Sequence, residues 1–125
     1  MNRLEWKMVE PPNFKVVPEK AGIYIISTKQ ETDKAFEVKY VGHADNLRVR
    51  ASEHWSKKEK NEELKAHIAE DYIMKFNYSE IESRADREGM ELYLYDMFEP
   101  PLNPGPPRGS TIVKCTIPAV RKYIS

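Results

Sequence analysis

Four side chains of complementary chemistry fall close together along the first half of the chain. Gly22-Ile23-Tyr24 opens one apolar run and Tyr40-Val41-Gly42 closes the next, so a hairpin between the runs sets two phenols side by side. Ten residues after Tyr40 stands Arg50, followed four positions later by His54. On a helix that spacing puts guanidinium and imidazole on one face. Further on, Glu91 precedes Asn103 by twelve residues. Phenols and an imidazole can carry protons, and a guanidinium is a charge that does not titrate, which together suit proton transfer beside an anion. Each residue also has a plainer reading. The tyrosines can be core rings with surface hydroxyls, and Arg50 can pair at the surface with Glu53 or Asp45. His54 can be a helix-surface histidine, and Glu91 one of several solvated acids that include Glu88 and Asp96.

The elements that must position these groups are readable. Residues 23–28 (IYIIST) and 36–42 (FEVKYVG) are rich in β-branched and aromatic residues and flank a polar KQETDK loop, which predicts two antiparallel strands. Phe36, Val38 and Tyr40 alternate with Glu37 and Lys39, predicting one shared buried face. Asp45-Asn46 offers an N-cap, and Leu47, Ala51 and Trp55 then recur every four residues, predicting a helix over 46–57. Trp55 reads as core. A second helix falls within 58–71, around Leu64 and Ile68, and a third strand over 72–78. Ser79 with Glu82 forms a capping-box pattern, which predicts a helix running from there towards Phe98, where Pro100 and Pro101 stop it. Gly89 weakens that helix by about 1 kcal/mol relative to alanine.

Residues 1–21, with Pro11, Pro12 and Pro18, read as an extended lead-in without regular structure, and 22–105 as the domain proper. Residues 106–125 form a C-terminal extension packed on the same domain; TIVKCTIP in it can be a short edge segment and AVRKYIS a weak helix. The expected class is α+β: a small three-stranded mixed or antiparallel sheet flanked by helices, in the order β-β-α-α-β-α plus that extension.

Composition bounds the function from another side. The chain has 125 residues, 40% apolar and 32% charged, which fits one globular domain able to hold a core without a disulfide or a structural metal. The single cysteine, Cys115, lies between apolar neighbours and reads as a buried, inert thiol, in keeping with a reducing cytoplasmic setting. No uninterrupted apolar run is longer than the one from Ile23 to Ile26, so neither a signal core nor a membrane span is expected. Twenty basic residues balance twenty acidic ones, without the overall positive charge of a nucleic-acid-binding domain. A phosphate-binding surface must therefore be local. Arg48, Lys57 and Lys58, near Arg50, Lys60 and Lys65, can supply such a strip, interleaved with Glu53, Glu59, Glu62 and Glu63. His67 has no motif around it and reads as a surface residue.

The ordered set resembles the GIY-YIG nuclease domain family, with the motif pattern of the excision-repair incision subunit and of small stand-alone members. The two namesake tripeptides fall on Gly22-Ile23-Tyr24 and Tyr40-Val41-Gly42, and YVGHADNLRVR is similar to the run leading to the family's arginine, at Arg50. His54 fills the position where the family uses histidine or tyrosine. Glu91 in MELYLYDMF matches its metal-binding glutamate, and Asn103 in PPLN its closing asparagine. The resemblance spans about residues 20 to 105. It departs at His43, where the family often has a lysine, and in the fifteen residues from Ile25 to Lys39, which make the hairpin longer than usual.

What the resemblance implies is a metal-dependent DNA endonuclease that hydrolyses phosphodiesters by water attack. Glu91 then holds one Mg²⁺ or Mn²⁺ with the help of water, and Arg50 stabilises charge on the phosphate with a planar fork that lysine lacks. Tyr24 or Tyr40 deprotonates or orients the water. His54 binds the phosphate or passes a proton, and Asn103 fixes the loop beside Glu91. Gly22, Gly42 and His43 support these groups. DNA is the implied partner, whether branched, nicked or damaged, and the neutral charge leaves room for a targeting partner protein or for self-association. The alternative is a nonhydrolytic nucleic-acid-binding or protein-interaction module on the same fold.

Overall fold

Residues Gly22–Lys29 are buried along almost their whole length, the mark of a strand covered on both faces. The computed structural model describes residues 1–109 and 111–119. In it Gly22–Lys29 is β2, the centre of an antiparallel sheet with β3 (Glu37–Ala44) on one side and β4 (Ile73–Glu80) on the other. The sheet has four strands, not three. Lys7–Val9, inside the expected structureless lead-in, forms β1 and pairs antiparallel with β4, giving the order β1-β4-β2-β3. The prolines begin only at Pro11, so Lys7, Met8 and Val9 ahead of them are free to pair, and they satisfy backbone groups along the edge of β4.

Three helices cover the two faces. α1 (Leu47–His54) and α2 (Glu62–Ile68) lie on one face, where Leu47, Ala51 and Leu64 pack with Tyr24, Ile26 and Phe76. α3 (Arg84–Phe98) lies on the other, where Met90, Leu94 and Phe98 pack with Ile23, Ile25, Val38 and Val41. α1 is capped by Asn46, whose side chain accepts from Val49 N–H, and it ends three residues before the expected limit. α2 is likewise shorter than 58–71, its start set by the Asn61 cap. Trp55 packs edge-on against Phe14 beside this core.

Two local readings are corrected. Ser79 does not cap α3; it is a buried residue of β4 paired with Ile23, and the helix starts four residues later behind Ser83, whose hydroxyl accepts from Asp86 N–H. The capping-box pattern was genuine as a local preference but lost to the pairing of β4 with β2. Phe36, Val38 and Tyr40 do not share a face either. The β2–β3 register slips between Ile26 and Ser27, so that Ser27 faces Val38 while Ile26 faces Tyr40. Lys39 is the extra residue of this bulge. Val38 therefore joins the α3 core and Tyr40 packs towards the α1 core.

The ends of the chain close over the α3 side. Asn2 bridges Cys115, Trp6 donates from Nε1 to Thr116 O at 2.8 Å, and Leu4 N–H donates to Thr116 Oγ1. The TIVKCTIP segment is otherwise irregular. Its crossing explains Gly89: Val113 N–H donates to Gly89 O, and a Cβ on that residue would stand 2.4 Å from Val113 Cγ2. Cys115 is buried there, as expected, and burial pushes its thiol up to about 11. The helix expected over 119–125 lies, from 120 onward, outside the described residues. No helix among the described residues is long and apolar enough to cross a membrane.

Candidate active site

The bulge at Lys39 puts both tyrosines on the α1 face. Tyr24 pairs across the hairpin with Gly42, Tyr40 with Ile26, and the two rings stack with centroids 6.2 Å apart. The glycines of the two tripeptides are there for closeness. A Cβ on Gly42 would lie 2.5 Å from the Tyr24 hydroxyl oxygen, and one on Gly22 only 2.2 Å from the Ser79 carbonyl oxygen, so neither position admits a larger residue without displacing what it touches.

α1 then presents two of its polar side chains, Arg50 and His54, to these rings. His54 is 1% exposed, with Nε2 2.6 Å from the Tyr24 hydroxyl and Nδ1 hydrogen-bonded to the Glu59 carboxylate. His54 is thus not a helix-surface histidine. Arg50 is half-buried beside both phenols. It joins none of the ion pairs among the described residues; Asp45 is taken instead by Arg87, at 2.6 Å.

Glu91 comes from the opposite face. It lies on α3, its side chain 14% exposed, and its nearest basic group is His43 Nε2 of β3, at 3.9 Å. Glu91 is no ordinary solvated acid. Its charge adds a minor push to the raised values of both phenols. That edge is closed by Asn103, whose Oδ1 accepts from Val41 N–H at 3.0 Å and whose Nδ2 donates to Val41 O at 2.9 Å. Leu102 N–H donates to Lys39 O beside it. Asn103 thus holds the loop after α3 against β3 by imitating a neighbouring strand.

The electrostatics follow from burial. Tyr24 is held well above the ordinary phenol value, first by burial and then by Tyr40, with Arg50 opposing. Tyr40 is raised by burial too, against Arg50. Burial works against the Arg50 charge, but the phenols and Glu59 outweigh it and its value stays raised. Burial, then Arg87, lowers His43, so this side chain is neutral at pH 7 and supplies no fixed positive charge where the family often has lysine. Burial pushes Glu91 up to about 7, with the His43 backbone N–H working in the opposite direction. Glu91 is a carboxylate without a cationic partner among the described residues. That is the property of a group suited to a divalent ion. Among the described residues no three His, Cys, Asp or Glu side chains form an all-protein metal cage, so an ion here would rest on Glu91, water and substrate oxygens.

A cleft of about 760 Å³ is lined by Tyr40, Arg50, Glu59, Lys60, Glu62, Glu63, Leu102 and Asn103 among others; Glu91 and His43 are not in its wall. Tyr24, 1% exposed, lies behind it. Of the expected nucleic-acid contacts, Lys57 and Lys58 are exposed just after α1. Arg48 instead donates from Nε to Val17 O at 2.7 Å and lines a separate hollow with Pro12, Phe14 and Ser52. His67 is half-buried, not on the surface; its Nε2 bonds Thr28 Oγ1 at 2.8 Å and its ring stacks on Tyr72.

Sequence reasoning missed two residues. Glu59, read as one of the surface glutamates interleaved with the lysines, is 4% exposed and holds His54. Nothing in KKEKNEEL distinguishes it, since its burial depends on a histidine five residues back. Arg87, 3% exposed, ties the start of α3 to Asp45 and to the carbonyls of Ile81 and Glu82. Its signal was faint: an arginine on the face otherwise carrying Met90, Leu94 and Phe98.

An antiparallel hairpin with one phenol on each strand, backed by an arginine and histidine helix and flanked by a glutamate from the opposite helix, defines an α+β catalytic domain. The model of the GIY-YIG catalytic domain matches residues 20–103, and the chain belongs to that family. Comparison with curated proteins and with solved structures gave no match.

Proposed function

We propose that this domain is a metal-dependent DNA endonuclease that hydrolyses phosphodiesters by water attack and leaves a 5′-phosphate and a 3′-hydroxyl. Family membership supports a nuclease, and one observation carries the reading: Tyr40, Arg50 and Asn103 line a single cleft. Attack on a phosphodiester places negative charge on the nonbridging and leaving oxygens. Arg50, whose charge does not titrate in the working range, meets that charge at the cleft wall. Tyr40 is the phenol that faces the attacking water, because Tyr24 is sealed behind it. Tyr24 and His54 hold Tyr40 from the rear through ring contacts. When bound, Mg²⁺ or Mn²⁺ held by Glu91 supplies positive charge to the phosphate and cancels the push of Glu91 on the phenols.

The substrate reaches this cleft over a surface with few cations. Counterion release from Lys57, Lys58 and Lys60 gives only weak nonspecific affinity at physiological salt, so delivery falls to a targeting partner protein, to self-association or to the shape of branched, nicked or damaged DNA. The proposed setting is the cytoplasm. A nonhydrolytic binding module draws its support from the neutral His43 and the balanced charge. The two readings separate on cleavage of labelled plain, nicked and branched DNA with Mg²⁺ or Mn²⁺, beside an identically prepared Glu91→Ala variant. Cleavage lost in the variant supports the nuclease; retention of DNA binding without cleavage across the whole panel supports the module.

A further inference from the structure

The hydrogen bonds behind the cleft form one connected path. Glu59 Oε2 meets His54 Nδ1, and Glu59 Oε1 accepts from Asn61 N–H at 2.9 Å. Asn61 in turn caps α2 through its Oδ1, bonded to Leu64 N–H, and donates from Nδ2 to Leu102 O at 2.8 Å. Leu102 and Asn103 then reach β3. Both carboxylate oxygens of Glu59 are thus engaged, and the loop carrying it is tied to the cleft wall.

We infer that Glu59 is a positioning residue of this site: it fixes His54 as the Nδ1–H tautomer, so that Nε2 accepts the hydroxyl proton of Tyr24. An ionised carboxylate can only accept, so the histidine nitrogen facing it must donate, and a neutral imidazole has one N–H to give. The other nitrogen is then a bare lone pair, and the 2.6 Å contact to Tyr24 has the phenol as donor. The groups facing His54 are Tyr24 from β2, Tyr40 from β3, Arg50 on its own helix and Glu59 from the following loop. Burial, reinforced by Arg50, holds His54 below the ordinary histidine value and keeps the ring neutral against the pull of Glu59. The consequence is directional. With its proton committed to His54, the Tyr24 oxygen is an acceptor towards its other neighbours, Arg50 and the Tyr40 phenol. The opposite tautomer would make Nε2 the donor and turn the Tyr24 O–H outward as one more donor. The logic is that of any histidine whose tautomer is set by a carboxylate on its far nitrogen.

This inference rests on the nuclease reading for its catalytic meaning, but its first test needs no turnover. Side-chain ¹⁵N NMR of the full chain at pH 7 should show His54 protonated at Nδ1 and bare at Nε2. An Nε2–H ring or an imidazolium overturns the proposal. In the second test, Glu59→Gln should lower kcat by about 10- to 100-fold with KM within about twofold, while Glu59→Asp recovers part of the loss. An unchanged kcat in Glu59→Gln, folded by circular dichroism, overturns it. If Glu59→Gln does not fold, the wild-type tautomer still decides. A wild-type chain that shows the Nδ1–H ring yet cleaves nothing upholds the positioning and removes the proposed reaction; one that cleaves with an Nε2–H ring does the reverse.

Discussion

The two faces of the sheet treat their polar groups in opposite ways. On the α1 face His54 and Glu59 are sealed from solvent and bonded to each other, to Tyr24 and to the loop that follows. On the α3 face the Glu91 side chain is 14% exposed, yet among the described residues it meets no cationic group, only a neutral histidine, and burial lifts it to about 7. A satisfied polar network inside a core rigidifies, whereas an uncompensated charge there costs stability. One face holds its polar groups in a bonded network and the other leaves a buried acid without a cationic partner among the described residues. The edge strand β3 lies between them, and its bulge turns Tyr40 to the first face while His43 stays beside Glu91 on the second.

The strongest way to break this contrast is to remove that acid. Glu91→Ala should lower cleavage by roughly 10³-fold or more without loss of melting temperature; a variant that cleaves at the wild-type rate would show that the α3 face contributes no ion. Arg50→Lys, which keeps the charge and loses the planar fork, should follow at about 10²-fold, read on the same DNA panel.

Crowding the rigid face comes next. Gly42→Ala brings a Cβ to 2.5 Å from the Tyr24 hydroxyl, and should cost about 1–3 kcal/mol in urea unfolding together with loss of the Tyr24–His54 bond. A variant as stable as wild type would mean that this face yields easily.

The pH dependence of stability sharpens the other side. Glu91 has a folded value of about 7 against an ordinary 4.5, so between those values the folded chain keeps a proton that the unfolded chain has released. Stability therefore falls as pH rises through that window and levels off above it. Glu91→Gln has no such proton to lose. It should match wild type near pH 4 and exceed it at pH 8 by about 3 kcal/mol. Parallel unfolding curves at both pH values would show that Glu91 carries no strain.

The smallest effect lies just past α3. Glu99 adopts a left-handed backbone, φ 46° and ψ 56°, to close the helix. Glu99→Gly should gain up to about 1 kcal/mol in thermal unfolding and leave cleavage unchanged, because it relieves strain without touching the cleft.

The principal helices and strands were legible because apolar spacing and caps are local. Leu47, Ala51 and Trp55 mark α1 by their spacing, and the run IYIIST marks β2 by its content. The ordered tripeptides, with Arg50, His54, Glu91 and Asn103, were enough to name the family. β1 was missed because three residues just ahead of Pro11 and Pro12 have no pairing preference strong enough to show alone. Ser79 was misread for the reverse reason, since a sound local cap was overruled by a partner strand 56 residues earlier, at Ile23. The alternation of Val38 and Tyr40 failed at Lys39 because a bulge is a decision of two strands.

The sequence by itself determined which chemical groups this domain owns and the order in which they occur, since residue identity and short-range periodicity need no partner. Only the tertiary structure decided what those groups are. It decided that Tyr40 faces the cleft and Tyr24 lies behind it, that one glutamate among several in a charged run is buried against a histidine, and that Glu91 has no cationic partner among the described residues. Burial and pairing arise where distant segments meet, and a side chain's protonation, tautomer and reach are set there.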